Sequence, residues 1–238
     1  MEPFEITLHW VYVAVMFLSG TAFLILSRNG RDVPLYKYLI HTFIVVWSGL
    51  AYAALALGQG SAAAAGNIVY YPRYIDWVVT TPLLLLSLNL TGKFNIKLEG
   101  SLTAALMGAQ VIMIVTGLVA ELSPDGIKWF WYTAGCVALV AVLYLIWGPL
   151  QEKSKIQGPE IAYVYRKSAL FLTIQWLAYP LVWAVGYMGM GVIDKPTTTF
   201  LFILLPIISK SGFGFYNLYL LRGLPASVKK QHAGKDEF

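Results

Sequence analysis

Charge is what this chain has least of. Asp, Glu, Lys and Arg make up 12% of its 238 residues, about half the roughly 25% of an average soluble domain. So little charge, with 58% hydrophobic and 15% aromatic residues, excludes an ordinary soluble enzyme, a disordered chain and a nucleic-acid binder. Cysteine is nearly absent: the lone Cys136 excludes a disulfide framework and a cysteine zinc site. Acids are fewer than bases, 12 against 17, for a net charge of +5. What that excess means depends on where the bases stand.

The stretches without Asp, Glu, Lys or Arg are Ile6–Ser27, Tyr38–Pro72, Trp77–Gly92, Gly100–Ala120, Trp129–Gln151 and Ser168–Ile193, with Pro196–Leu221 broken only by Lys210. A membrane-crossing helix needs about 20 mostly apolar residues. The second stretch is one span plus a loop, because Gly58-Gln59-Gly60-Ser61 ends the helix. The third becomes a full span if it starts near Tyr70 and takes Arg73 and Asp76 inside. The runs are too long and too uniformly apolar for barrel strands, and in lipid a helix satisfies its own backbone. The fold class is therefore an all-α membrane protein, a seven-helix bundle in the cell membrane. The first segment has Glu2 and Glu5 where a signal peptide carries bases, and is read as a retained helix.

Thirteen of the 17 bases fall on one side: Arg28, Arg31 and Lys37; Lys93 and Lys97; Lys153, Lys155, Arg166 and Lys167; and Arg222, Lys229, Lys230 and Lys235. The other side has Lys128 and Lys195. The positive-inside rule puts the first group in the cytoplasm and the N-terminus outside. The +5 is thus a topology signal facing the lipid bilayer, with no nucleic acid required. Residues 1–226 form one membrane domain, and residues 227–238 are expected to be a short, basic, disordered cytoplasmic tail.

Eleven of the 12 acids, Glu5 and Glu121 among them, are assigned to loops or chain ends, which leaves Asp76 inside with Arg73 and Lys210. Charges at bilayer depth are costly and mark function. Lys210 lies mid-span, out of reach of a headgroup. A buried lysine is the residue type that forms a Schiff base with a carbonyl, and the protonated adduct needs a counter-charge. Asp76 is the candidate. Arg73 and Thr80, three before and four after it, share its helix face, so one cluster of Lys210, Asp76 and Arg73 is expected, Arg73 outermost. Trp176, Tyr179 and Trp183 share a face of the sixth span and suit the wall of a slot for a flat polyene. No constellation for enzymatic catalysis or metal binding is read, so the chain is expected not to be an enzyme.

Tyr74-Ile75-Asp76-Trp77-Val78-Val79-Thr80-Thr81-Pro82 resembles the third-helix signature of microbial rhodopsins. Ser209-Lys210 with Gly212-Phe213-Gly214-Phe215 resembles their retinal-lysine segment, Trp176-x-x-Tyr179-Pro180-x-x-Trp183 their sixth helix, and Gly108-Ala109-Gln110 through Thr116-Gly117 their fourth. The resemblance implies all-trans retinal on Lys210, Asp76 as counterion, and Trp77, Thr81, Met113, Gly117, Trp176, Tyr179, Trp183 and Pro206 around the polyene. It also implies a trimer.

Outward pumps of that family carry a second acid one turn before the lysine, where this chain has Pro206, and an acid donor inward of the counterion, where it has Ser87. Acids near their extracellular exit correspond to Met188 and Thr198. Leu204-Leu205-Pro206 before Ile207-Ile208-Ser209-Lys210 resembles the xenorhodopsin group, which includes inward proton pumps and a sensory member. Some of its inward pumps have a His–Asp pair at the places of His41 and Asn217. Histidine takes and releases a proton near neutral pH; asparagine does not. The expectation is a light-driven inward proton pump, releasing past Ser87, His41 and Asn217 and resupplied from outside through the Asp76 region. The alternative is a photosensor signalling to a soluble cytoplasmic transducer docked on the basic tail. A transporter or receptor with a ligating lysine is a further rival, which absence of a chromophore would favour.

Overall fold

The computed structural model describes residues 2–64 and 67–233. Seven helices are long and apolar enough to cross a membrane: α1 (Pro3–Ser27), α2 (Leu35–Ala56), α3 (Pro72–Gly92), α4 (Gly100–Leu122), α5 (Asp125–Lys155), α6 (Pro159–Val185) and α7 (Lys195–Arg222). Short loops force neighbours antiparallel: α1 packs on α2, α3 lies between α2 and α4, α4 packs on α5, and α7 closes the bundle against α1, α2 and α6. Large apolar side chains such as Leu18, Val137, Tyr144 and Leu181 point outward, as a lipid-facing surface requires. The polar groups lie inside.

The helix starts follow local chemistry. Pro3, Pro72 and Pro159 take first-turn positions that need no backbone N–H. Glu2 and Glu5 close a capping box on α1. Asp194 caps α7 by accepting the Thr197 N–H at 3.0 Å. Inside α3, the Thr80 and Thr81 hydroxyls fold back on the helix and donate to the Asp76 and Trp77 carbonyls at 2.8 and 2.7 Å, so these polar side chains are satisfied within the span.

Two spans carry a π-helical stretch, Ile146–Leu150 in α5 and Ile207–Gly212 in α7. The second starts just after Pro206 and contains Lys210. Pro206 has no N–H to give the Phe202 carbonyl, and the Tyr52 hydroxyl donates to that carbonyl instead, at 3.0 Å. Single π turns of this kind are frequent at functional sites. α3 and α7 are also the most enclosed helices, 67% and 61% buried over their apolar stretch against 28–39% for the others.

Three expectations change. The third span starts at Pro72, and Tyr70 instead belongs to an antiparallel hairpin, β1 (Ser61–Ala64) with β2 (Asn67–Tyr70), in register Ser61 to Tyr70. Gly60, at φ +77°, lets the chain pass against the Pro72 ring, where a Cβ would stand 2.1 Å from Pro72 Cγ. The tail is ordered further than composition suggested: α8 (Ala226–Ala233) continues past residue 227, held by Lys229, whose Nζ donates to the Arg31 and Arg222 carbonyls at 2.8 and 3.3 Å. The rest of the expected disordered tail, 234–238, lies outside the described residues. Third, Glu5 and Glu121 are buried, 2% and 7% exposed; both stand at helix ends but face into the bundle.

Candidate functional site

Lys210, on the π stretch of α7, is 1% exposed, and Asp76, in the second turn of α3, is 0% exposed. The Lys210 ammonium donates to Asp76 Oδ2 in a short, fully buried ion pair. It also donates to Ser48 Oγ of α2 at 2.9 Å, and the Thr80 hydroxyl stands 3.2 Å from Asp76 Oδ1. Ser48 shares a 2.5 Å hydrogen bond with Tyr12 of α1, whose ring stacks on Tyr52 at 3.9 Å. Four helices thus converge on one charge pair. Removing one partner of a buried pair strands the other, at a cost of about 3–5 kcal/mol.

Arg73 departs from the expected cluster. Its Nη2 lies 3.7 Å from Glu121 Oε1 on α4, and among the described residues no Arg73–Asp76 ion pair forms. Glu121 also accepts from the Tyr74 hydroxyl. At the same end Glu5 accepts from Thr199 Oγ1 at 3.2 Å, with Lys195 Nζ 3.9 Å away. A count of gaps between charges treats a charge at a helix end as solvated, and so misses both acids. Tyr74 beside Arg73 was the available signal, a buried phenol needing an acceptor.

Next to the charge pair is a narrow cavity of about 90 Å³, lined mostly by apolar and aromatic side chains as small-molecule sites are. Trp77, Thr81, Met113, Gly117, Trp176, Tyr179 and Trp183, all expected around the polyene, line it. Pro206 does not; it stands at the head of the π stretch, one turn before Lys210. Sequence reading missed Tyr132, Cys136, Leu139 and Phe202, which also line the cavity. The first three lie on the middle of α5, where no charged or signature residue singles them out, and Phe202 lies on α7 ahead of the lysine segment. Tyr132 stacks on Trp183 at 5.0 Å, and Trp77 meets Tyr179 edge-on at 5.4 Å. Gln110 Nε2 donates to Thr81 Oγ1 at 3.0 Å, so this polar group on the wall is partly satisfied. Gly117 leaves open space, the nearest atom to a Cβ there being Tyr74 Cε1 at 3.6 Å. Two links tie the cavity to the lysine: the Tyr179 hydroxyl stands 3.1 Å from Ser209 Oγ, and Trp77 follows Asp76 on α3. An aromatic slot beside a buried lysine–carboxylate pair fits retinal.

The structure brings Ser87, His41 and Asn217 together at the basic end. His41 Nε2 lies 3.1 Å from Ser87 Oγ and 3.4 Å from Asn217 Oδ1. The Asn217 amide donates both its protons, to Thr91 Oγ1 at 3.2 Å and Ser168 Oγ at 3.0 Å. Its oxygen therefore faces His41, and accepts from Nε2 in the tautomer that carries hydrogen there. His41 Nδ1, buried and without a hydrogen-bond partner, faces Gly214, where a Cβ would stand 3.2 Å away. Gly214 is one helical turn from Lys210. Thr91 also accepts from Lys37 Nζ at 3.5 Å, and Lys37 is 0% exposed. Sequence reading had put Lys37 in the loop.

A family model described as bacteriorhodopsin-like protein matches residues 3–224. Archaerhodopsin-3 of Halorubrum sodomense is 33% identical over 210 residues, covering 84% of this chain and 79% of that protein. Bacteriorhodopsin of Halobacterium salinarum is 31% identical over 223 residues, covering 90% and 82%. Among solved structures, cyanorhodopsin from the cyanobacterium Calothrix sp. superposes with a TM-score of 0.88 at 26% identity, covering 98% of this chain and 100% of that one. A light-driven proton pump from Leptosphaeria maculans gives 0.85 at 28% identity, covering 94% and 98%.

Proposed function

From the chain's membership of the bacteriorhodopsin-like family, multi-pass membrane proteins that hold retinal as a Schiff base on a lysine and include light-driven proton pumps, we propose that this member carries protons inward, to the cytoplasm. Within the family we read it as one of the xenorhodopsin group, on Pro206 before the lysine and Ser87 at the place of an inner acid. It is a transporter in this reading and not an enzyme.

The observation that carries the direction is the arrangement of His41. Its Nδ1 is open toward Gly214, on the helix that bears Lys210, and its Nε2 faces Ser87 Oγ and Asn217 Oδ1 on the other side. Such an imidazole accepts a proton on one nitrogen and releases another from the opposite one. Asn217 cannot hold a proton as a carboxylate would, so it orients His41, and Ser87, Thr91 and Ser168 complete the hydrogen-bonded exit. The buried acids among the described residues, Asp76, Glu121 and Glu5, stand beside Lys210 or on its extracellular side. The chain's proton-holding carboxyls thus lie on the supply side of an inward route, while an outward pump needs one on the inner side.

Retinal on Lys210, when bound, supplies the light-driven isomerisation that changes which side the Nζ proton faces. The protein's residues do the rest. Asp76 Oδ2 balances the Nζ charge, while Ser48 and Thr80 hold Asp76 and Lys210 in register. The aromatic walls exclude water, so the two half-paths meet only at Nζ. The change of access is a two-state switch.

Illuminated cells expressing the protein are expected to alkalinise their medium, and an uncoupler to abolish the signal. Acidification would overturn the direction. No pH change, with a normal pigment, would favour a photosensor.

A further inference from the structure

The extracellular end contains a second buried charge pair, Arg73 with Glu121, whose arrangement the transport reading does not explain. Glu121 closes α4 with its side chain 4% exposed, and the Arg73 side chain opposite it is 5% exposed. Arg73 and Asp76 are three residues apart on α3 and share a helix face, so helix geometry alone favours their pairing. The carboxylate that Arg73 meets comes instead from α4. The guanidinium also lies over the rings of Tyr70 and Phe202, at 5.7 and 5.4 Å, and the Tyr187 side chain, from the loop before α7, reaches it.

Tyr74 connects this pair to the cavity. Its hydroxyl donates to Glu121, while its ring lines the cavity and meets Trp77 edge-on at 5.2 Å. A shift of the cavity wall at Tyr74 therefore pulls on the carboxylate that holds Arg73. The groups facing Glu121 are Arg73 and Tyr74 from α3 and Tyr187 from the loop.

We propose that Glu121 is a positioning residue of the extracellular half-path: it holds Arg73 away from Asp76 and, through Tyr74, ties the guanidinium to the wall of the retinal cavity. The proposal rests on the Lys210–Asp76 pair and not on the direction of transport, which the sign of the photocurrent tests separately.

The test is a spectrophotometric acid titration of the purified, retinal-loaded pigment, whose colour changes when Asp76 loses its charge. Glu121→Gln keeps the shape but frees Arg73 to approach Asp76. The midpoint of the colour change is then expected to fall by about one pH unit or more, the size of a new cation beside a buried carboxylate. In an Arg73→Gln background the same substitution is expected to move it no further. Tyr74→Phe removes the hydroxyl that positions the Glu121 carboxylate and is expected to lower the midpoint by a smaller amount, an effect absent in the Arg73→Gln background. If Glu121→Gln gives no pigment, Glu121→Asp, with its shorter reach, is expected to show a smaller fall. A midpoint unmoved by Glu121→Gln, or one that moves equally with and without Arg73, would overturn the proposal. Either result would mean that the rings of Tyr70 and Phe202 hold the guanidinium, or that Glu121 only supports the fold.

Discussion

Gly214→Ala tests the His41 relay without touching a polar group. A Cβ at position 214 would stand 2.6 Å from Phe23 Cζ and 3.2 Å from His41 Nδ1. Phe23 has little room to retreat: it is 0% exposed, with its ring 4.5 Å from Phe215. Overpacking of this kind costs about 1–3 kcal/mol, offset by up to about 1 kcal/mol from replacing a helical glycine. Of the bonds at Nε2, the 3.4 Å contact with Asn217 is already beyond the usual range and is the first to break. Losing one such bond is worth about 0.5–1.5 kcal/mol, a slowing of about twofold to tenfold if the step passes through it. Flash photolysis with a pH-sensitive dye on the cytoplasmic side reads that step directly. The visible band is expected to stay, because the Lys210–Asp76 pair is untouched. The decisive comparison is a double-mutant cycle with His41→Gln. If Gly214→Ala slows proton release by the same factor with and without the imidazole, the relay is refuted and the glycine serves packing alone.

Asp76→Asn leaves the Lys210 charge buried with only Ser48 as partner; at about 3–5 kcal/mol, the visible band of the retinal-loaded protein should be lost on alkaline titration about two to four pH units lower than in the parent. At the extracellular surface the Thr197 hydroxyl and backbone N–H hold the Asp194 carboxyl below its usual range. A depressed carboxyl stabilises only while ionised, so this contribution is present above the unfolded-state value and lost as pH falls through the folded one. Thermal melts of Asp194→Ala should match the parent at low pH and fall below it near neutrality, and a deficit that persists unchanged into acid would exclude the cap as the cause.

Much of this protein is legible in one dimension because the membrane reads it that way. A span must be apolar along its length, so gaps between charges gave seven helices, and the bias of loop bases gave an orientation. A charge inside lipid is expensive wherever it occurs, so Lys210 and Asp76 stood out with no knowledge of what lay opposite them. The aromatic face of α6 followed from helical spacing, and the structure puts its three members on one cavity. What stayed hidden depends on which residue of another helix stands opposite. Glu121 and Glu5 look solvated at the ends of their helices until the bundle closes around them. Arg73 had Asp76 on its own face, and only the approach of α4 gave it another partner. The α5 side of the cavity has no charge or motif to mark it. Which nitrogen of His41 carries hydrogen depends on an amide whose orientation Thr91 and Ser168 fix from two other helices. Sequence alone determined where the chain crosses the bilayer and that Lys210 and Asp76 are trapped there, because burial in lipid is costly one residue at a time. Only the tertiary structure decided how those charges pair, because pairing depends on distance between helices that the order of residues does not set.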